Sequence, residues 1–319
     1  MSSSIRIYDS FSNTAAVIAP ELGFNCISFT TEMKGTPVEV IDAPEDVLNG
    51  QYRPSGFGIP ILFPFPNRIR EGRFTWEERH YEIPLAPNHP NAIHGFCYDR
   101  PWRVIDQTED SVTGRFQLSV DDPERRHCWP ADFIFDVRYR VAESRLECQF
   151  RITNCDEKPL PWGLGTHAYF RLPLGPESDA YQCELSVPVS EQWELNDFLP
   201  TGRRLPVENN NPLRTGASFG EIKFDDVFTG WQSDGGTVRS SILDPKAGVQ
   251  LMQICDSQYF REAVVYTPPG RNAVCIEPYS CVTDAINLHS KDINTGLQVL
   301  PPGQVVQTWI ALQVSPILA

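Results

Sequence analysis

Two histidines, a glutamate, an aspartate and an adjoining amide–guanidinium pair are the residues whose types and settings could do chemistry in this chain. Glu277 ends the apolar run Ala273-Val274-Cys275-Ile276 and is followed by Pro278. A carboxylate in mid-core needs a partner, so Glu277 is expected at the mouth of a strand, where its charge costs little. His167 lies in Gly165-Thr166-His167-Ala168-Tyr169-Phe170. If that stretch is extended, His167 and Tyr169 share one face and Thr166, Ala168 and Phe170 the other; the plainer alternative is a core histidine donating to a carbonyl. His94 stands in Asn88-His89-Pro90-Asn91-Ala92-Ile93-His94-Gly95. Its glycine neighbour permits close backbone approach or positive φ, although a loop histidine is more often simply solvated.

Asn67 and Arg68 end the proline-dense segment 58–69, Gly-Ile-Pro-Ile-Leu-Phe-Pro-Phe-Pro-Asn-Arg-Ile. Proline removes backbone freedom, so the segment can hold both side chains rigidly. Their fixed donors and acceptor suit vicinal hydroxyls; the alternative is a turn-capping Asn beside a surface Arg. Asp225 and Asp226 precede Phe228, and alternation turns one of them inward unless they form a polar turn. Together these groups suit acid–base work on a polyhydroxylated ligand.

The elements that must position them read as strands. From 133 to 141, Phe133, Phe135, Val137, Tyr139 and Val141 alternate with polar neighbours that include Asp136, Arg138 and Arg140. After a turn at Glu143-Ser144, Leu146, Cys148, Phe150 and Ile152 alternate with Glu147, Gln149 and Arg151. That is a hairpin with one buried face. The same period runs through Phe116, Leu118 and Val120, and from Val306 to Val314. Further strands are expected at 5–8, 15–18, 38–41, 73–76, 81–85, 183–187, 237–243, 248–254, 263–266 and 273–277. The chain's 28 prolines and 21 glycines leave few windows for a mature helix. The fold class expected is all-β, a large antiparallel β-sandwich forming a single domain over 1–319.

Composition narrows the partners. A formal charge of −14 disfavours a nucleic-acid backbone and an anionic membrane surface, and favours a neutral small molecule. No run of about 18 apolar residues predicts a membrane span, and the first residues lack the basic and apolar segments of a signal peptide. Nine cysteines without C-x-x-C spacing read as free thiols of a reducing cytoplasm. No Gly-rich phosphate loop follows a strand, so no nucleotide cofactor is expected. Neither a metal nor any other cofactor is called for by the chemistry above.

The sequence resembles the galactose mutarotase, or aldose 1-epimerase, family over most of its length. The resemblance rests on Pro66-Asn67-Arg68-Ile69 with Gly72-x-Phe74, on Asn91-Ala92-Ile93-His94-Gly95, and on His167-x-Tyr169-Phe170. Asp225-x-x-Phe228 and Cys275-Ile276-Glu277-Pro278 with Asp284-Ala285 follow in the same order. The resemblance implies a mutarotase-type supersandwich whose open concave face holds a monosaccharide. It implies Glu277 as the base at the anomeric hydroxyl, His167 as the acid at the ring oxygen and His94 as a supporting hydrogen-bond partner. Asn67, Arg68 and Asp225 would bind ring hydroxyls, in a monomer or homodimer, with no cofactor. The segment before Asn67, Ala168 and Arg171 depart from the best-known galactose enzymes and resemble a broader aldose 1-epimerase branch. A hexose-6-phosphate 1-epimerase would need cations for the phosphate, for which Arg171, Arg100 and Arg103 are candidates. A glycoside hydrolase or lyase would leave both histidine motifs idle, and a silent sugar-binding protein would need no acid–base set. His127, just before a strand, is expected at the surface.

Overall fold

The computed structural model describes residues 4–87 and 89–317. Asn88 of the His94 motif, and the first residues of the leader reading, lie outside the described residues.

Alternating sequence builds the larger sheet. Phe133–Ala142 and Arg145–Asn154 pair antiparallel, Phe133 opposite Asn154 and Ala142 opposite Arg145. Glu143 and Ser144 both take positive φ, 51° and 60°, as in the two-residue turns whose twist matches a hairpin. Val305–Pro316 joins the free edge of Arg145–Asn154, followed by Val249–Asp256 and Thr237–Asp244. Ser111–Gln117 and Arg103–Gln107 extend the opposite side, and short strands near 184, 217 and 233 complete a ten-stranded sheet.

The second sheet, of eight strands, runs Leu199–Pro206, Glu191–Asn196, Asp225–Thr229, Glu262–Tyr266, Ala273–Tyr279, Gly165–Thr166 and Ile61–Leu62, with Tyr169–Arg171 also on Ala273–Tyr279. Its inner face packs on the first. The Phe63 ring centroid lies 4.7 Å from that of Phe133 and 4.4 Å from that of Phe135. Gln253 of the larger sheet donates to the Ile276 carbonyl of the smaller at 3.1 Å. The aromatic and aliphatic side chains between the sheets are fully buried, each contributing roughly 1.5–3 kcal/mol. A four-stranded N-terminal sheet, Ile5–Asp9 to Thr36–Glu39, adds a further layer.

Two expectations need correction. The strand through Phe116 ends at Gln117, and Leu118–Asp121 is one helical turn. Asp121 draws the chain round by accepting from the Gln117 N–H at 2.6 Å, which leaves Val120 exposed. The 81–85 strand is instead Arg79–Glu82, paired with Arg73–Trp76, because Pro84 cannot supply a ladder donor.

Candidate active site

The smaller sheet carries the catalytic candidates on the face opposite the core. Within Ala273–Tyr279, Val274 and Ile276 join the core while Glu277 and Tyr279 line a cavity of about 150 Å³. Glu277 is not at a strand mouth. Pro278 continues the strand, opposite Ala263, and Glu277 is 2% exposed. Its partner is the Tyr279 hydroxyl, which donates to Oε2 at 2.5 Å. Tyr279 is two residues on, so strand alternation alone places it beside Glu277.

His167 follows the short strand Gly165–Thr166, and its N–H donates to the Pro60 carbonyl at 3.0 Å. Extended backbone puts His167 and Tyr169 on one face, their rings parallel with centroids 4.7 Å apart. His167 Nε2 stands 3.4 Å from Glu277 Oε1. Its Nδ1 is buried without a partner, so it is not a core histidine bound to a carbonyl.

Asn67, Arg68 and His94 arrive together through backbone bonds. Arg68–Ile69 pairs with Ala92–Ile93, and the His94 N–H donates to the Asn67 carbonyl at 2.7 Å. Asn67 and His94 both have positive φ, 56° and 66°, a strained region for such residues. Gly95, at φ 77°, brings the chain against Phe63, where a Cβ would meet the Phe63 carbonyl oxygen at 2.1 Å. That contact is the close approach the glycine makes possible. Arg68 Nη1 donates to Asn67 Oδ1 at 2.8 Å and its guanidinium lies over Phe198. His94 is 5% exposed, with its ring centroid 5.5 Å from that of His167 and its Nδ1 also unpartnered.

Asp225 opens Asp225–Thr229 and faces the cavity mouth, whereas Asp226 accepts from Gln192 at 2.7 Å. All six candidates therefore line one cavity: Asn67, Arg68, His94, His167, Asp225 and Glu277. Tyr279, Tyr266, Ser55 and Arg53 line it too and were missed. Tyr266 faces Asp225 across the ladder; Arg53, in the exposed 51–53 stretch, carries no sequence signal of its place in the wall.

The remaining candidates lie elsewhere. Arg171 lines a separate depression beside Asp42. Arg103 is bound by Asp121, and Arg100 by Asp99 and Asp122. None of the three arginines lines the cavity that holds Glu277 and His167. His127 is exposed on the turn Pro123–Cys128, as expected. Asp284 is structural, accepting the Arg70 N–H at 3.0 Å. Two larger depressions, of about 520 and 550 Å³, contain no histidine and hold carboxylates already bound by arginine or by backbone.

Burial sets the electrostatics. It raises the Glu277 carboxyl well above its usual range, against the Tyr279 hydrogen bond, which favours the carboxylate. Burial also lowers His167 to about 3 and His94 well below its ordinary value, the latter helped by His167. The pair His167–Glu277 thus favours zero net charge. As to metal-holding groups, His167, Cys275 and Glu277 each offer a ligand atom, all within 4.8 Å of one another.

The arrangement has relatives. The sequence profile of the aldose 1-epimerase family matches residues 9–313. The chain is 24% identical to the uncharacterized protein YihR of Escherichia coli K12 over 230 residues, 71% of each chain. It is 27% identical to the galactose mutarotase of Rattus norvegicus over 143 residues, 44% of this chain and 40% of that protein. Its fold matches a galactose mutarotase-like protein from Clostridium acetobutylicum with a TM-score of 0.85 at 21% identity, covering 95% of this chain and 93% of that one. A GalM/aldose epimerase homologue from C. elegans matches with a TM-score of 0.79 at 20% identity over all of both chains. With the family profile spanning nearly its whole length, the chain belongs to the aldose 1-epimerase family, isomerases acting on carbohydrates.

Proposed function

We propose that the chain is a mutarotase that interconverts the α and β anomers of a free aldose by opening and reclosing its ring. The observation that carries this reading is the His167–Glu277 pair, 3.4 Å apart at the floor of a cavity rimmed by hydroxyl-binding groups. Opening a hemiacetal takes one proton from the C1 hydroxyl and puts one on the ring oxygen. Glu277 as carboxylate accepts the first, and His167 as imidazolium gives the second. The pair is then protonated glutamate and neutral imidazole, with the proton count unchanged. Rotation about C1–C2 and reclosure in reverse restore it. One shared proton serves both directions, and burial favours the uncharged arrangement of that same proton. Positioned acid–base groups each contribute about 10²–10⁴-fold. In this reading Tyr279 steadies the Glu277 carboxylate, His94 supports the ring-oxygen side, and Asn67, Arg68 and Asp225 hold ring hydroxyls.

All six side chains come from one chain, so a monomer or a homodimer would serve. Nine free cysteines, eight of them buried, favour a cytoplasmic setting; among the described residues no helix is long and apolar enough to cross a membrane. The net charge of −14 supports a small neutral partner over nucleic acid.

A second reading, a hexose-6-phosphate 1-epimerase, is favoured by Arg53 and Arg68 in the cavity wall. Anomer-exchange NMR across free aldoses and their 6-phosphates separates the two. The first reading expects faster exchange of at least one free aldose than of its 6-phosphate. Exchange confined to phosphorylated sugars would replace it with the second, and no acceleration of any sugar would end both.

A further inference from the structure

Cys275, fully buried beside His167 and Glu277, is a group that the acid–base cycle leaves idle. Strand alternation sets it on the same face as Glu277, two residues on, and the ladder sets it opposite Tyr169, whose ring stacks on His167. We propose that Cys275 Sγ, a ring nitrogen of His167 and a carboxylate oxygen of Glu277 form a binding site for one thiophilic divalent cation, zinc above all, and that its occupation silences the enzyme. The binding stands on geometry alone; the silencing rests on the mutarotase reading.

Metal–ligand distances of about 2.0–2.3 Å place tetrahedral zinc ligands roughly 3.3–3.8 Å from one another. His167 Nε2 and Glu277 Oε1 already stand 3.4 Å apart. All three ligand atoms lie within 4.8 Å of one another, so binding requires the widest separation to shorten by about 1 Å to reach tetrahedral spacing. All three residues are buried, so little ordering entropy is lost on binding. The cavity supplies the fourth position for water or a sugar hydroxyl. A thiolate, an imidazole and a carboxylate select zinc or cobalt over magnesium or calcium, which prefer all-oxygen shells. Among the described residues this is the single such triple of donors.

Charge balance favours the site as well. The cation displaces the Cys275 thiol proton, and any proton on Glu277, to solvent; no electrons move. A doubly charged cation with one thiolate and one carboxylate is neutral, which removes the penalty of leaving a charge in a buried place. Arg271 lies nearby, but Asp42 and the Tyr169 ring already engage it. The bound cation takes the lone pairs of His167 and Glu277, the same ones that must carry the two protons.

The test is titration of the metal-free full-length chain with cobalt(II), read by thiolate-to-cobalt charge-transfer absorption, alongside zinc inhibition of anomer exchange. The expected result is one equivalent of cobalt with that band, displaced by zinc, and loss of turnover at the same zinc concentration. Since removing even an outer-sphere partner costs about 10–100-fold in metal affinity, Cys275→Ser should weaken binding by at least that, abolish the band and keep turnover in zinc. Glu277→Gln should weaken cobalt binding by a like factor, and serves if the serine variant fails to fold. No band from the unaltered chain, or an undiminished band in folded Cys275→Ser or, should that variant not fold, in Glu277→Gln, would overturn the site. A band without any turnover would leave the site standing and refute the mutarotase reading; turnover without a band would do the reverse.

Discussion

Phe133–Ala142 in the ten-stranded sheet and Ala273–Tyr279 in the eight-stranded sheet are both largely buried, yet they place polar groups in opposite ways. In the first, Phe133, Phe135, Val137, Tyr139 and Val141 fill the core. The other face carries charge matched across the ladder, as where Arg115 grips Asp136 with bonds of 2.7 and 2.8 Å. In the second, all seven residues are buried. Val274 and Ile276 serve the core, and the opposite face holds Cys275, Glu277 and Tyr279 under a cavity whose two histidines each keep an unpartnered ring nitrogen. A buried donor or acceptor without a partner costs about 1–3 kcal/mol. The large sheet carries that cost too, at the Arg138 Nε and the Tyr139 hydroxyl; the comparison teaches that what sets the small sheet's outer face apart is a cavity whose unpartnered histidine nitrogens stand beside a buried carboxylate, Glu277, ready for a ligand.

Substitutions can break or sharpen this contrast. Phe135→Ala removes a fully buried ring that packs on Phe63, Trp102 and Phe150. It should cost about 3–5 kcal/mol in chemical denaturation, with turnover per folded molecule kept; a selective loss of turnover would blur the two regions. His167→Asn should change the pH dependence of stability. Below 6.5 the unfolded chain protonates this histidine, whereas the folded chain resists until about 3. The unfolded state therefore binds more protons in that window, and the residue's contribution to stability falls as pH falls. Urea titrations should show the variant gaining on the parent chain as pH drops from 6.5; a gap independent of pH would deny that burial holds His167 neutral. Arg140→Ala, which breaks an exposed pair with Asp110 at 3.0 Å, should stay within about 0.5 kcal/mol. A larger loss would mean that the outer face of the large sheet does more than stay solvated.

Legibility followed the same division. The hairpin through Glu143-Ser144 was readable because one-sided burial writes a period of two into the sequence. The alternation failed at Val120, where the Asp121 carboxylate turns the chain. The six candidate residues were readable as short motifs, and His167 with Tyr169 even as a shared face. Glu277 was misplaced because burial on both faces erases alternation, and Pro278 reads as a strand end although it sits inside the ladder. Arg53, Ser55 and Tyr266 reach the cavity only through tertiary packing, which leaves no local trace.

The most direct test of the account is Glu277→Gln, followed by polarimetry of a freshly dissolved anomer and by sugar-binding calorimetry. Gln keeps the shape and the Tyr279 hydrogen bond but cannot accept the hydroxyl proton. The account predicts binding retained and turnover reduced by about 10²–10⁴-fold. A variant that binds sugar and still equilibrates its anomers at the parent rate would contradict it.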